Sequence, residues 1–226
     1  MELPEALAGV YAGAAPSGEC RFQLREHHVR IPCVSCRSFV AALGLIVASV
    51  ASAEGDRAGD GRLSLSLQGG QMTTNGIDDV FNPTKTDFTN AYFGGLILGY
   101  EVPLDDPRWA LGAEVQLNHH FGQDTFQELV LPVTIRYSPA RPWPAVIDSF
   151  AFGLGISHAS ETPLLEVVKR GESQRTLVYF SLETAFSVGD GNDDIFVRLH
   201  HRSDAYGLFA TDSGSNAFAI GWRHGF

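Results

Sequence analysis

The sequence predicts an all-β fold, an eight-stranded antiparallel transmembrane β-barrel, and three observations predict it. In the last eleven residues, Phe218, Ile220, Trp222 and Phe226 alternate with Ala217, Ala219, Gly221, Arg223 and Gly225. Strand side chains point to opposite faces with a period of two, so this segment has one large apolar face and one small or polar face. The same alternation recurs in seven earlier segments, with small, polar or charged residues on the face opposite the apolar one. Finally, no apolar run approaches the roughly 20 residues that a membrane-spanning helix needs, so a membrane crossing must use strands.

Taken in order, the first strand sets Leu63, Leu65 and Leu67 against Ser64, Ser66 and Gln68. The second runs from Tyr92 to Val102, with Tyr92, Leu96, Leu98 and Tyr100 on one face. The third alternates Leu111, Ala113, Val115, Leu117 and His119 with Gly112, Glu114, Gln116, Asn118 and His120. The fourth alternates Leu129, Leu131, Val133, Ile135 and Tyr137 with Glu128, Val130, Pro132, Thr134 and Arg136. Phe150, Phe152, Leu154 and Ile156 lie over Ala151, Gly153, Gly155 and Ser157 in the fifth. In the sixth, Val178, Phe180, Leu182, Thr184 and Phe186 lie over Tyr179, Ser181, Glu183 and Ala185. The seventh places Ile195, Val197, Leu199, His201 and Ser203 on one face and Phe196, Arg198, His200 and Arg202 on the other. The segment ending at Phe226 is the eighth.

An aromatic C-terminal strand of this kind resembles the terminal strand of bacterial outer-membrane barrels, with His224 a departure from the usual aromatic. Such barrels have short periplasmic turns and longer external loops. Residues 103–107, 139–145 and 187–193 are short and rich in Pro, Gly or Asp, and they alternate with longer connections at 69–90, 158–175 and 204–215. The long connections are therefore expected to face out. An eight-stranded barrel has room inside only for side chains. Glu114, Glu128, Glu183, Arg136, Arg198 and Arg223 are accordingly expected to pair there as a buried network.

Ahead of the barrel, Arg37 to Ala53 has a basic start, an apolar stretch and a small-residue end at Ala51-Ser52-Ala53. That is the layout of a secretory signal, and cleavage after Ala53 leaves residues 54–226 as one barrel domain. Residues 1–36 are read as a leader produced by a mis-assigned start, with Val29 or Val34 as an initiation point that gives a normal signal. Cys20, Cys33 and Cys36 all lie before the cleavage point. His27, His28, Cys33 and Cys36 resemble half a zinc site, but no second ligand pair follows, and no metal or cofactor is expected. Four of the 26 acidic and four of the 16 basic residues precede Glu54, so residues 54–226 keep the net charge of −10. This balance argues against nucleic acid as a partner.

His201 and Ser203 share the apolar, outward face of the seventh strand at its external end. Residues two apart on a strand stand roughly 6.5–7 Å apart at their bases, close enough for an imidazole to lean over and take a hydroxyl proton. His200 faces inward.

Arg198-Leu-His-His-Arg-Ser203, followed by Gly207-Leu-Phe, Gly214-Ser-Asn216 and the terminal aromatic strand, resembles the C-terminal signature of the PagL-type lipid A 3-O-deacylases, also known as acyloxyacyl hydrolases. Other stretches match that family's broader pattern: Glu114 with His120-Phe-Gly-Gln123 and Glu128, Arg136-Tyr137 before Pro142-Trp143-Pro144, and Gly153-Leu-Gly-Ile-Ser157 before Pro163-Leu-Leu-Glu166. The resemblance covers most of residues 91–226. It implies an outer-membrane esterase that removes the acyl chain at the 3-position of lipid A, with Ser203 as nucleophile and His201 as base. It also implies lipid A or lipopolysaccharide as substrate and outer-membrane lipid as surroundings; a homodimer is left open, since nothing in the residues shows one.

The chain departs from the family's pattern twice. Family members usually carry Asn after the Ser, where this chain has Asp204. The family's acidic partner, about a dozen residues beyond the Ser, falls at Ser215 or Asn216. The third role, holding the imidazole in the correct tautomer, is assigned first to Asn216, which shares the parity of Phe218 and Ile220 and so the face of His201. Counting up from the periplasmic ends puts Asn216 near the level of Ser203. Asp212 and Asp204 follow as alternatives.

Two readings compete with the esterase. One is a non-catalytic small barrel that anchors, adheres or stabilises the membrane, in which His201 and Ser203 are an interfacial polar cap. The other is a soluble periplasmic ligand-binding barrel.

Overall fold

The computed structural model describes residues 61–226 apart from 83, 144–145, 190, 206–207 and 210, together with the backbone of three short strands nearer the N-terminus. The chain divides into two compact units, Met1–Arg57 and Ala58–Phe226. Within the first, β1 (Gly13–Ala14), β2 (Glu19–Leu24) and β3 (His27–Pro32) form an antiparallel sheet in sequence order. The expected signal at 37–53, its cleavage at Ala53 and the leader's histidine and cysteine side chains lie outside what is described.

The second unit is a closed barrel of eight antiparallel strands. They are β4 (Arg62–Thr73), β5 (Phe88–Pro103), β6 (Trp109–Gly122), β7 (Gln127–Tyr137), β8 (Ser149–Ala159), β9 (Thr176–Ser187), β10 (Asp193–Ser203) and β11 (Gly214–Gly225). Each pairs with its sequence neighbours, and β11 returns to β4 with Trp222 opposite Leu67 and Phe218 opposite Gln71. Closure leaves no unpaired sheet edge. All eight expected strands are present.

The alternation is resolved in the sense that a barrel with an apolar exterior requires. Along β7, Leu129, Leu131, Val133 and Ile135 are exposed while Glu128, Val130, Thr134 and Arg136 are buried. Charged side chains occupy the inside and aliphatic ones the outside, the inverse of a water-soluble core. Exposed Leu111, Val115, Phe152, Leu154, Ile156, Leu182, Ile195, Val197, Ile220 and Trp222 extend the apolar surface around the wall. Such a continuous surface is far larger than a water-soluble monomer ordinarily carries. No helix among the described residues is long and apolar enough to cross a membrane.

Two local features depart from a uniform ladder. Pro132 cannot donate a backbone hydrogen bond, and the β6–β7 pairing skips from Ala113–Val133 to Gln116–Val130 on either side of it. Between β4 and β5 the register shifts between Gln71 and Thr73, one residue from the end of β4, and the Thr89 hydroxyl donates to the Met72 carbonyl at 3.2 Å. This irregularity lies beside Thr73, the β4 partner of Asn216.

At one end the connections are 104–108, 138–148 and 188–192, against the expected 103–107, 139–145 and 187–193; the first and third are short as expected, and the second is longer than expected, at eleven residues. At the other end the boundaries shift. β4 continues through Thr73 and β5 begins at Phe88, so the first long connection is 74–87 rather than 69–90, and the last is 204–213 because β11 starts at Gly214. The β6–β7 connection at that end spans only residues 123–126. Within the connection after β8 lies a helix that the alternation does not foresee, α1 (Leu164–Arg170). Pro163 precedes it, and Gly171 ends it in the left-handed region (φ 88°), its N–H returning to the Val167 carbonyl.

Seven residues do not hold a helix alone, so α1 owes its position to the barrel mouth. Leu165 packs on the cluster of Met72, Ala91, Phe93, Ala217 and Ala219. One residue on, the buried Glu166 carboxylate lies 2.9 Å from Arg202 Nε and accepts from the hydroxyls of Ser215 (2.7 Å), Ser213 (3.3 Å) and Ser173 (2.5 Å).

The polar interior forms two groups. In the lower one, Glu183 takes ion pairs from Arg136 (2.9 Å), Arg198 (2.5 Å) and Arg223 (2.6 Å), and Arg198 also reaches Glu114 at 2.9 Å. Glu128 does not join it, correcting the expectation of one network. It lies higher, against His120 (3.1 Å), His200 (3.3 Å), the Ser157 hydroxyl (2.5 Å) and Arg202 (3.7 Å). Glu128 sits at the start of β7 and Arg136 near its end, so one strand feeds both groups.

Candidate active site

β10 carries the predicted pair to the end of the barrel that bears α1. The register sets His201 between Asn216 on β11 and Phe180 on β9, and Ser203 between Gly214 and Val178. The parity that points Ile195 and Val197 outward also points His201 and Ser203 outward. Inward-facing His200 is buried against Phe93 (5.1 Å between ring centroids) and Tyr179 (4.8 Å), as part of the Glu128 group.

His201 is nonetheless not open to its surroundings: it is 6 % exposed and Asn216 2 %. The Phe180 ring lies 4.4 Å from the imidazole on one side, and the Asn216 amide oxygen lies 2.5 Å from Nδ1 on the other. The imidazole thus lies on the outward face but between the side chains of its two strand neighbours.

The Asn216 amide is bonded at both ends. Its Nδ2 donates to the main-chain carbonyl of Asn75 at 2.8 Å. A carbonyl can only accept, so the NH2 end must face Asn75 and Oδ1 must face His201. Oδ1 also only accepts, so the proton on the imidazole belongs on Nδ1, leaving the Nε2 lone pair free.

Asn75 is the second residue of the 74–87 connection and is itself braced. Its side chain donates to the Lys85 carbonyl (2.6 Å) and accepts from the Asp87 N–H (2.8 Å). Its carbonyl receives a second hydrogen bond, from Lys169 Nζ at 2.7 Å. Lys169 lies in the last turn of α1, where partial burial lowers its pKa to about 8, neighbouring Arg170 adding to the shift and Glu166 opposing it.

Ser203 ends β10. The chain then turns through Asp204 and Ala205, the latter in the left-handed region at φ 54°, and the Ala205 N–H donates to Ser203 Oγ at 3.3 Å. A non-glycine residue there is uncommon and favours a site held by its surroundings. Across the ladder, a Cβ on Gly214 would stand 2.7 Å from the Arg202 carbonyl oxygen and 3.2 Å from Ser203 Cα, so the backbones approach too closely for any side chain. Among the described residues no hydrogen bond joins His201 to Ser203. Catalytic couples are often long in the unliganded state and tighten with substrate.

Of the three residues weighed for the third role, Asn216 has its amide oxygen 2.5 Å from the imidazole Nδ1. Asp212 is exposed, its backbone N–H donating to Glu172 at 2.8 Å. Asp204 lies just past the end of β10, its N–H donating to the Ser213 carbonyl (3.1 Å) and its own carbonyl accepting from Phe209 (3.2 Å). Asn75 and Lys169 belong to the site's surroundings without having been singled out in the sequence, and neither carries a local signal there; Glu166 and Gly214 stand in stretches that carry the family resemblance, which assigns them no role. No cluster of three potential metal ligands occurs among the described residues.

No protein-family model matches the chain, and no curated protein matches it. Among solved structures it is similar to the crystal structure of the outer membrane enzyme PagL, with 15 % sequence identity and a TM-score of 0.46, over 71 % of this chain and 98 % of that one.

Proposed function

We propose that this chain is an outer-membrane serine esterase that hydrolyses an ester-linked acyl chain of lipid A, the 3-O-linked one, in the outer leaflet. The observation that carries the reading is the His201–Asn216 couple on the outward face, with Asn216 Oδ1 2.5 Å from Nδ1 and Ser203 two residues further along the same face. An apolar outer wall with a charged interior supports a place in the membrane, and the signal-like stretch ending at Ala53 supports export. A site on the outside of the wall meets the ester of a membrane lipid without a pore or a soluble cleft.

Ser203 Oγ attacks the acyl carbonyl carbon as His201 Nε2 takes its proton, and Asn216 Oδ1 holds the Nδ1–H and stabilises the imidazolium. The Ala205 N–H, already turned toward Ser203 Oγ, is a donor for the oxyanion that forms. Collapse returns the proton from Nε2 to the leaving sugar oxygen and leaves an acyl-enzyme. Water, deprotonated by the same nitrogen, then releases the fatty acid and regenerates Ser203.

Mass spectrometry of lipid A from cells with and without the chain tests substrate, bond and activity together. The expected result is loss of one 3-O-linked acyl chain that Ser203→Ala and His201→Ala each abolish while the folded barrel persists. An unchanged lipid A spectrum alongside folded membrane-fraction protein rejects the esterase in favour of a non-catalytic barrel.

A further inference from the structure

On the reading that His201 is the base, we infer that Lys169 is a positioning residue, whose ammonium group acts through the Asn75 carbonyl to fix which end of the Asn216 amide faces the imidazole. The two ends of a carboxamide are nearly identical in shape and opposite in hydrogen-bonding sense. With Oδ1 toward His201, Nδ1 keeps its proton and Nε2 has a free lone pair. With Nδ2 toward His201, Nδ1 is the acceptor, Nε2 carries the proton, and no base faces Ser203. The choice rests on one acceptor, the Asn75 carbonyl, which Asn216 Nδ2 reaches at 2.8 Å.

That carbonyl belongs to a connection rather than to a strand, so something must hold it. Its two lone pairs take the two donors, Asn216 Nδ2 and Lys169 Nζ at 2.7 Å. Lys169 is anchored in turn by α1, whose Glu166 is pinned to Arg202, Ser213 and Ser215 inside the mouth. An unbroken path therefore runs from the barrel interior through α1, Lys169 and Asn75 to Asn216 and His201. An ammonium group suits the task because it only donates: it cannot compete with Asn75 as an acceptor for Asn216 Nδ2.

The test uses the full barrel in detergent micelles with purified lipid A, comparing the parent with Lys169→Met, which keeps the aliphatic stem, and Lys169→Arg, which keeps the donor. Lys169→Met is expected to lower kcat about tenfold with KM within about twofold, the signature of a group acting on the chemical step. Lys169→Arg is expected to restore most of kcat. In the NMR spectrum without substrate, the His201 Nδ1–H resonance is expected in the parent and in Lys169→Arg, and to be lost or moved to Nε2 in Lys169→Met.

Parental kcat and an unchanged ring resonance in Lys169→Met overturn the inference. A raised KM at unchanged kcat also overturns it, and makes Lys169 a contact to an anionic group of the substrate instead. The His201→Ala variant separates the two levels. If it is inactive while Lys169→Met is parental, only the role of Lys169 falls. If it retains activity, the base assignment falls, and the substrate-free resonance still decides whether Lys169 orients Asn216.

Discussion

Asn216 Oδ1 and His201 Nδ1 are 2.5 Å apart across the β10–β11 pair, and they are direct register partners. A residue on a neighbouring strand orients the imidazole, so the couple is as rigid as the barrel wall itself. The Asn216→Ala variant is expected to lower turnover of lipid A at least tenfold, about 1.4 kcal/mol in the barrier. Heat-modifiable migration, which reports folded barrel, is expected to change little. Normal turnover in this variant, with loss in Asp212→Ala, would transfer the role to Asp212.

The position of that pair shows what the sequence holds and what it omits. Alternation in β6, β7 and β10 is legible because charged interiors and aliphatic exteriors leave no ambiguity about which side faces where. Parity likewise puts Asn216 and His201 on one face. Level is not legible. Counting from the lower ends puts Asn216 near the level of Ser203, and the register places it two residues lower, opposite His201, because Asp194 pairs with Arg223 rather than Phe226. Barrel strands are staggered, and the stagger is a property of the closed sheet rather than of either strand. For α1, seven residues offer less than two turns of periodicity, and what holds them is Glu166 paired with a residue 36 positions away. Lys169 and Asn75 are invisible for the same reason: their meeting depends on two connections folding toward one carbonyl.

Gly214 yields a steric prediction. A methyl group there meets the Arg202 carbonyl oxygen at 2.7 Å and Ser203 Cα and Cβ at 3.2 Å. These are largely backbone positions, so relief requires the β10–β11 pair to part at the level of Ser203. Gly214→Ala is expected to cost about 1–3 kcal/mol in stability, as overpacking does, and to reduce lipid A turnover more than Gly191→Ala, whose added Cβ meets nothing within 4 Å. Denaturant midpoints and turnover, measured on both variants, check it.

Arg202 and Glu166 form the ion pair that seats α1, both almost fully buried and 2.9 Å apart at the closest atoms. Replacing one partner strands the other's charge, which typically costs about 3–5 kcal/mol, whereas replacing both with apolar residues of similar size is often close to neutral. Glu166→Leu and Arg202→Met are each expected to lower the unfolding midpoint sharply, and the double variant to recover much of the loss. Arg202 also donates to Ser157 and to the carbonyls of Gln174 and Arg175, so recovery stays incomplete. Additive losses in the double variant would mean that the pair is not the anchor of α1.

Lys169 gives the pH dependence. Partial burial lowers its folded pKa to about 8, while in the unfolded chain it returns to its ordinary value of 10.5. Between those values the unfolded chain binds more protons than the folded one, and stability rises with pH wherever that holds. The Lys169 contribution therefore disfavours folding below about pH 8, and the penalty is relieved as pH climbs from about 8 toward 10.5. Arg170 and Glu166 act on this group in opposite directions, the first adding to the lowering and the second opposing it. Because half the side chain meets solvent, the effect is modest. Unfolding midpoints of the parent and of Lys169→Met, compared at pH 8 and pH 10, are expected to differ in slope, with the parent gaining relative to the variant as pH rises. Parallel behaviour of the two proteins over that window would mean that Lys169 keeps its ordinary pKa in the folded chain.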